Sequence, residues 1–229
     1  MNESIQRDRF VAFLDIMGFK ERVARTSAAK LYNELSEFYN DISNIIFPNL
    51  DEMSDTDEDG NSSFKGQGKI SLILAQFSDS IAIFTEDDSR ESLKLLSEAL
   101  QKIFFSAITR SNPIPLKGAL SKGYMTCDMT KQLFFGQALI DAYLLEEDVQ
   151  FYGLVVHHTA ENDIKTLNLD VFRDTSVPLK SGKINHYELS WYKYDKQQSI
   201  SGLNNIRLTV SASPRRYVDN TKCLIDEIE

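Results

Sequence analysis

A chain of 229 residues with 42% hydrophobic and 26% charged side chains can fill one sizeable core, and its length suits a single domain with insertions or a tail. The formal net charge of -9 excludes a nucleic-acid backbone as the main partner, because phosphate binding by whole-protein charge requires a basic face. The opening MNESIQRDRF has no apolar signal segment and no run approaches the roughly 18 apolar residues of a membrane span, so a cytoplasmic protein without direct membrane contact is expected.

The first element is FVAFL at 10–14, a nearly continuous apolar run that ends at Asp15 and breaks at Gly18, as a buried strand does. A helical pattern follows from about 20 to 46, re-initiated near Ser27, with Leu31, Leu35, Phe38, Tyr39 and Ile42 on one face. Pro48 closes it. Residues 49–68 are acidic, polar and rich in Gly and Ser, the composition of an inserted exposed loop. Its DTDEDG resembles the start of a calcium loop. Gly66 stands where a bidentate Glu would be required, and the strand-like KISLILAQF follows, so a solvated loop is the better reading.

Residues 70–84, ISLILAQFSDSIAIF, place two apolar segments around Ser78, Asp79 and Ser80, a hairpin with a tight polar turn. Asp88 or Ser89 then caps a helix to about 109 with a core stripe of Leu93, Leu96, Leu100, Ile103, Phe104 and Ala107. Strands are expected at 116–125, 151–156 and 184–191, with a short apolar segment at 133–135 and a helix at about 137–147. The tail from 201 has no decisive pattern. The order is β-α-β-β-α-β followed by an α/β appendage, so the expected class is α+β with a ferredoxin-like βαββαβ core. Residues 1–199 form the expected domain, with 49–68 inserted, and 200–229 a tail packing on it or on a dimer partner.

In that arrangement the first and third strands are antiparallel neighbours at the centre of the sheet. Asp15 at the end of one strand and Asp79 at the start of the other therefore meet on one rim. Two unit charges about 4 Å apart at an effective dielectric near 20 repel by about 4 kcal/mol, which a divalent cation relieves. Hard oxygen donors with incomplete protein coordination suit Mg²⁺ or Mn²⁺, completed by water and phosphate. Gly18 lets the backbone approach a phosphate, and the helix after it offers N–H groups. Taken singly, Asp15 reads as a helix cap and Asp79 as a turn residue; jointly they read as a metal-triphosphate cradle.

Other chemistry has weaker support. Cys127 and Cys223 have no partner spacing for a disulfide or zinc site. No GxSxG, HExxH, Walker A or GxGxxG motif occurs, and His157, His158 and His186 read as surface or hydrogen-bonded residues.

FLDIMGF at 13–19 matches the F-x-D-I-x-G-F motif of class III nucleotidyl cyclase catalytic domains. FSDSIAIF at 77–84 resembles the hairpin carrying their second metal-binding Asp, with Ser78 replacing a glycine. KGALSKG at 117–123 is similar to their R-x-G-I-x-x-G strand, and FGQALIDAYLLEE at 135–147 to their G-x-x-V-N-x-A-x-R-x-E helix. LKSGKINHYEL at 179–189 resembles their triphosphate-contacting K-G-K segment. The resemblance spans about residues 8–192. It implies that Asp15, Asp79 and the Ile16 carbonyl hold two Mn²⁺ or Mg²⁺ ions, that Gly18 and Phe19 border the nucleotide, and that Lys180 or Lys183 meets the phosphates. It further implies a homodimer in which a ribose 3′-hydroxyl attacks the α-phosphorus in line.

Three departures narrow the expectation. The Lys and Asp with which adenylate cyclases read a purine are replaced here by Ala75 or Gln76, and by Leu133. The family's transition-state Asn and Arg fall on Ile140 and Leu144, so either another residue supplies that charge or the chain is inactive. Among class III cyclases the chain most resembles the bacterial antiphage pyrimidine cyclases of the Pycsar type, homodimers favouring Mn²⁺ that make cyclic UMP or cyclic CMP during phage infection. Their strand usually presents Arg where Lys117 stands, which implies that Lys117 lies near the base or phosphates. The tail RRYVDNTKCLIDEI also resembles theirs. The resemblance thus implies conversion of UTP to cyclic UMP and diphosphate, the product acting through a downstream cyclic-nucleotide receptor. Cyclisation of CTP to cyclic CMP and a degenerate nucleotide-binding module are the alternatives. A diguanylate cyclase is disfavoured because the GG[DE]EF-type turn is missing.

Overall fold

The computed structural model describes residues 6–48 and 72–227; the acidic insertion at 49–68 and its calcium-loop resemblance lie outside them. Strand β1 (Gln6–Ile16) is longer at both ends than the apolar run that marks it. Helices α1 (Phe19–Arg25) and α2 (Ala28–Ile46) divide at Ser27, whose side chain caps α2 by accepting from the Lys30 amide. The hairpin comprises β2 (Leu72–Phe77) and β3 (Ser80–Thr85), and α3 (Arg90–Thr109) follows with Ser89 as its cap. Next come β4 (Leu116–Asp128), β5 (Leu133–Phe135), α4 (Gln137–Asp148) and β6 (Leu154–Val156).

The appendage contains α5 (His158–Leu167), β7 (Phe172–Leu179) and β8 (Gly182–Leu189). A 3-10 turn at Trp191–Tyr194 leads into α6 (Lys196–Thr209) and α7 (Ala212–Asp226). All described strands join one sheet in the order β2-β3-β1-β4-β6-β8-β7, with β5 paired to β4. Its β2-β3-β1-β4 portion has the ferredoxin-like order, so the α+β class with a βαββαβ core is the class the chain adopts.

Alternation along β1 divides the molecule into two layers of core. Phe10, Ala12, Leu14 and Ile16 point into the principal core with α2, α3, α6 and α7, whereas Val11 and Phe13 point to the side covered by α4. A fully buried Leu, Ile or Phe contributes about 1.5–3 kcal/mol, and the principal core holds Leu14, Ile81, Ile83, Leu96, Leu100 and Phe104 at 0% exposure.

The strand expected at 151–156 is reduced to three residues because α7 captures the backbone before it. Asn220 Nδ2 donates to the Gln150 carbonyl at 2.7 Å, and the Tyr152 amide donates to Thr221 Oγ1 at 2.8 Å. Residue 199, the expected end of the domain, lies inside α6, and Leu203, Ile206, Val218 and Ile225 from the tail helices enter the principal core. Among the described residues no helix is long and apolar enough to cross a membrane.

Candidate active site

The same alternation puts Asp15 on the α4 side of the sheet, in phase with Val11 and Phe13. Across the strands Asp15 stands opposite Ser80 of β3 and Lys117 of β4. Close approach of β4 to β1 requires a glycine after Lys117. A Cβ on Gly118 would lie 2.5 Å from Leu14 Cδ2 and 2.7 Å from the Phe13 carbonyl oxygen.

Asp79 is fixed through its backbone. Its carbonyl accepts from the Ile16 amide at 2.9 Å, and the Tyr39 hydroxyl donates to the neighbouring Ser78 carbonyl at 3.0 Å. Ser78 takes a left-handed φ of 57° to make the turn. Gly18 has φ 75° with nothing near its missing Cβ, so conformation, rather than crowding, selects glycine there.

These elements surround a cavity of about 470 Å³, a size that suits a small ligand. The end of β1 contributes Asp15, Ile16 and Gly18, and α1 contributes Phe19 and Lys20. Asp79 and Ser80 come from the hairpin, and Lys117 from β4. The C-terminal half of α4 supplies Tyr143, Glu146 and Glu147. Lys180, in the turn between β7 and β8, and Tyr217 of α7 close it. Lys183 is not brought here; its ammonium stands 3.5 Å from Oε1 of Glu227, the residue that follows α7.

Glu146, Glu147, Tyr143 and Tyr217 were not among the residues that the sequence singles out. Glu146 had a detectable signal: it follows Ala138 and Ala142 at spacings of four on the buried stripe of α4, where a carboxylate needs a partner. That partner is Lys117. Its Nζ stands 2.8 Å from Glu146 Oε1 and donates to the Glu146 backbone carbonyl at 3.0 Å. Lys117 thus lines the cavity with its charge already engaged.

Burial pushes the Asp15 carboxyl up to about 7, with repulsion from Glu146 and Asp79 adding to the rise and Lys117 opposing it. Burial likewise raises Glu146 above the usual carboxylate range against the pull of Lys117. An acidic rim that resists ionisation is a site that gains by binding a cation. Two carboxylates with backbone carbonyls nearby are hard donors, suited to Mg²⁺ or Mn²⁺ with incomplete protein coordination. Among the described residues no group of three or more His, Cys, Asp or Glu is placed to hold a metal ion, so an ion here would depend on ligands beyond these side chains.

The raised carboxyl has a measurable consequence. An unfolded aspartate ionises near pH 4. Between that value and about 7 the folded chain keeps a proton on Asp15 that the unfolded chain has lost, so the contribution of Asp15 to metal-free stability falls as pH rises through this window and levels off above it. Asp15→Asn removes the penalty, discounted because the carboxyl is only partly buried. By calorimetry in chelator, the variant is expected to melt about 2–4 °C above the parent at pH 8 and close to it at about pH 4. A difference between variant and parent that does not widen from about pH 4 to about pH 8 would contradict this.

No protein-family model and no curated protein matches the sequence. Solved structures do match. The catalytic core of a rhodopsin-guanylyl cyclase with converted specificity, in complex with ATPalphaS, aligns with a TM-score of 0.56 at 16% identity over 80% of this chain and 96% of its own. The guanylate cyclase domain of RhGC from Catenaria anguillulae, in complex with GTP, aligns with a TM-score of 0.56 at 15% identity over 80% of this chain and 97% of its own. The chain has the fold of nucleotide cyclase catalytic domains. On this cyclase fold Ile140 and Leu144 are 50% and 55% exposed, on the face of α4 turned away from the sheet, and neither lines the cavity.

Proposed function

We propose that the protein is a metal-dependent pyrimidine nucleotide cyclase that converts UTP to 3′,5′-cyclic UMP and diphosphate. The observation carrying this reading is that Asp15, from β1, and Asp79, from the turn between β2 and β3 rather than from the start of β3, line one cavity of a cyclase fold together with Gly18, Lys20 and Lys180. A divalent ion, when bound, lowers the pKa of a sugar hydroxyl and neutralises phosphate charge. Asp15, Asp79 and the Ile16 carbonyl hold it at the sheet rim. Lys180 and Lys20 meet phosphate oxygens, and Gly18 and Phe19 border the nucleotide. Lys117 keeps Glu146 neutralised beside Asp15, so that the rim carries less repulsion before the cation arrives.

Pyrimidine choice is supported by the residues at the purine-reading places. Leu133 is 49% exposed and has no polar group to read a base, and Ala75 or Gln76 stands in place of lysine. The aligned structures hold GTP and ATPalphaS, so this part of the reading depends on the departures of the chain from the purine pattern. The resemblance to Pycsar-type cyclases supports CTP as the alternative substrate and a second-messenger role in antiphage defence. Incubating purified protein with each of four nucleoside triphosphates and Mn²⁺ is expected to give cyclic UMP, or cyclic CMP, as the main product. ATP or GTP as the sole good substrate would reject the pyrimidine reading.

A second reading has its own observation. Ile140 and Leu144 cannot donate hydrogen bonds, which favours a nucleotide-binding module without turnover; any product whose formation depends on Asp79 eliminates it. The exposed stripe of Ile140, Tyr143 and Leu144 on α4 supports a homodimer. Leu144→Glu is expected to convert a dimer to a monomer by light scattering, and a fully active monomeric parent would overturn the homodimer.

A further inference from the structure

Tyr217 enters the cavity from the C-terminal helix, and its position is tightly specified. Its ring stacks on Tyr152 with centroids 5.7 Å apart and planes 21° apart. Gln150 Nε2 donates to its hydroxyl oxygen at 3.0 Å. The same amide nitrogen faces the Val149 carbonyl at 3.4 Å, which fixes the amide with its donors toward both groups. Helix α7 itself is pinned by the Asn220 and Thr221 bonds and by Arg173 NH2 donating to the Leu224 carbonyl at 2.9 Å.

A phenol has one hydrogen to give, and Gln150 uses only its oxygen. Among the described residues no group accepts that hydrogen. Lys180 lines the same cavity, where its charge acts on Glu146 without a direct ion pair among the described residues. A hydrogen-bond donor and a cation lining the same cavity as the acidic cation-binding rim suit an anionic chain bound within it.

We propose that Tyr217 donates a hydrogen bond to a phosphate oxygen of the bound nucleotide beside Lys180, which makes α7 part of the substrate site. This deepens the nucleotide-cyclase reading of the same cavity and rests on it. Tyr217→Phe preserves the ring and its stack on Tyr152 while removing the donor. A hydrogen bond to a charged oxygen is of the size that changes affinity by about tenfold or more.

The test is calorimetric titration of inorganic tripolyphosphate with Mn²⁺ into the full chain. Tyr217→Phe is expected to weaken binding by about tenfold with its melting temperature retained. Gln150→Met keeps the phenol but frees its orientation, and a smaller loss is expected. In turnover assays the loss from Tyr217→Phe should fall on KM more than on kcat. Parental affinity in both variants overturns the proposal. Tyr217-dependent tripolyphosphate binding without turnover of any nucleotide would uphold it and remove the cyclase reading; turnover with both variants binding as the parent does would do the reverse.

Discussion

Asp79→Ala is expected to lower nucleotide cyclisation by about a thousandfold, equivalent to about 4 kcal/mol of transition-state stabilisation, while leaving the fold intact. The structural and chemical duties of this residue sit on different atoms. Its backbone carbonyl accepts the Ile16 amide and closes the hairpin against β1, and alanine keeps that bond. Its carboxylate faces the cavity and takes part in raising Asp15, a repulsion that alanine abolishes. The variant should therefore melt no lower than the parent in chelator, and Mn²⁺ should raise its melting temperature less. Product formed at the parental rate by a folded Asp79→Ala protein would remove the carboxylate pair from the mechanism.

What the sequence reveals of this site depends on where the information is held. Asp15 is legible because an apolar strand ending in Asp-Ile-x-Gly is a local pattern, and the hairpin at Asp79 is another. Their meeting follows from strand order, and the register of Asp15 opposite Ser80 delivers it. Glu146 and Lys117 are each visible as a charge in core phase, on α4 and on β4, yet only the packed structure shows that they neutralise one another.

Tyr217 has no local signature, because its partners Gln150 and Tyr152 are remote in sequence and it reaches them only when α7 docks. Helix α5 was illegible for a different reason: of its ten residues only Ala160 and Ile164 are buried, too few to set a period. Strand β7 contains Pro178, a residue that argues against a strand, and the sheet tolerates it because β7 is the edge. Helix α6 lacks a strong stripe for a related reason. Gly202 of α6 lies so close to α3 that a Cβ would meet the Ile108 carbonyl oxygen at 2.5 Å, so contact there is made through backbone that no hydropathy pattern reports.

Lys117→Met is the second large expected effect, and it reads stability instead of turnover. The Lys117 and Glu146 side chains are only 10% and 4% exposed, so removing the lysine strands a buried carboxylate beside Asp15 and Glu147. Breaking a buried pair in this way costs about 3–5 kcal/mol, which corresponds to a fall of roughly 10 °C in melting temperature for a chain of this size. The loss should be larger at pH 8 than at pH 5. Burial already holds Glu146 above the usual carboxylate range, and without Lys117 its folded form binds a proton that the unfolded form releases, so stability declines as pH rises. Replacing both partners, as Lys117→Met with Glu146→Leu, takes the stranded charge away and is expected to recover most of the melting temperature. A double variant no more stable than Lys117→Met would show that a stranded Glu146 charge is not the source of the loss.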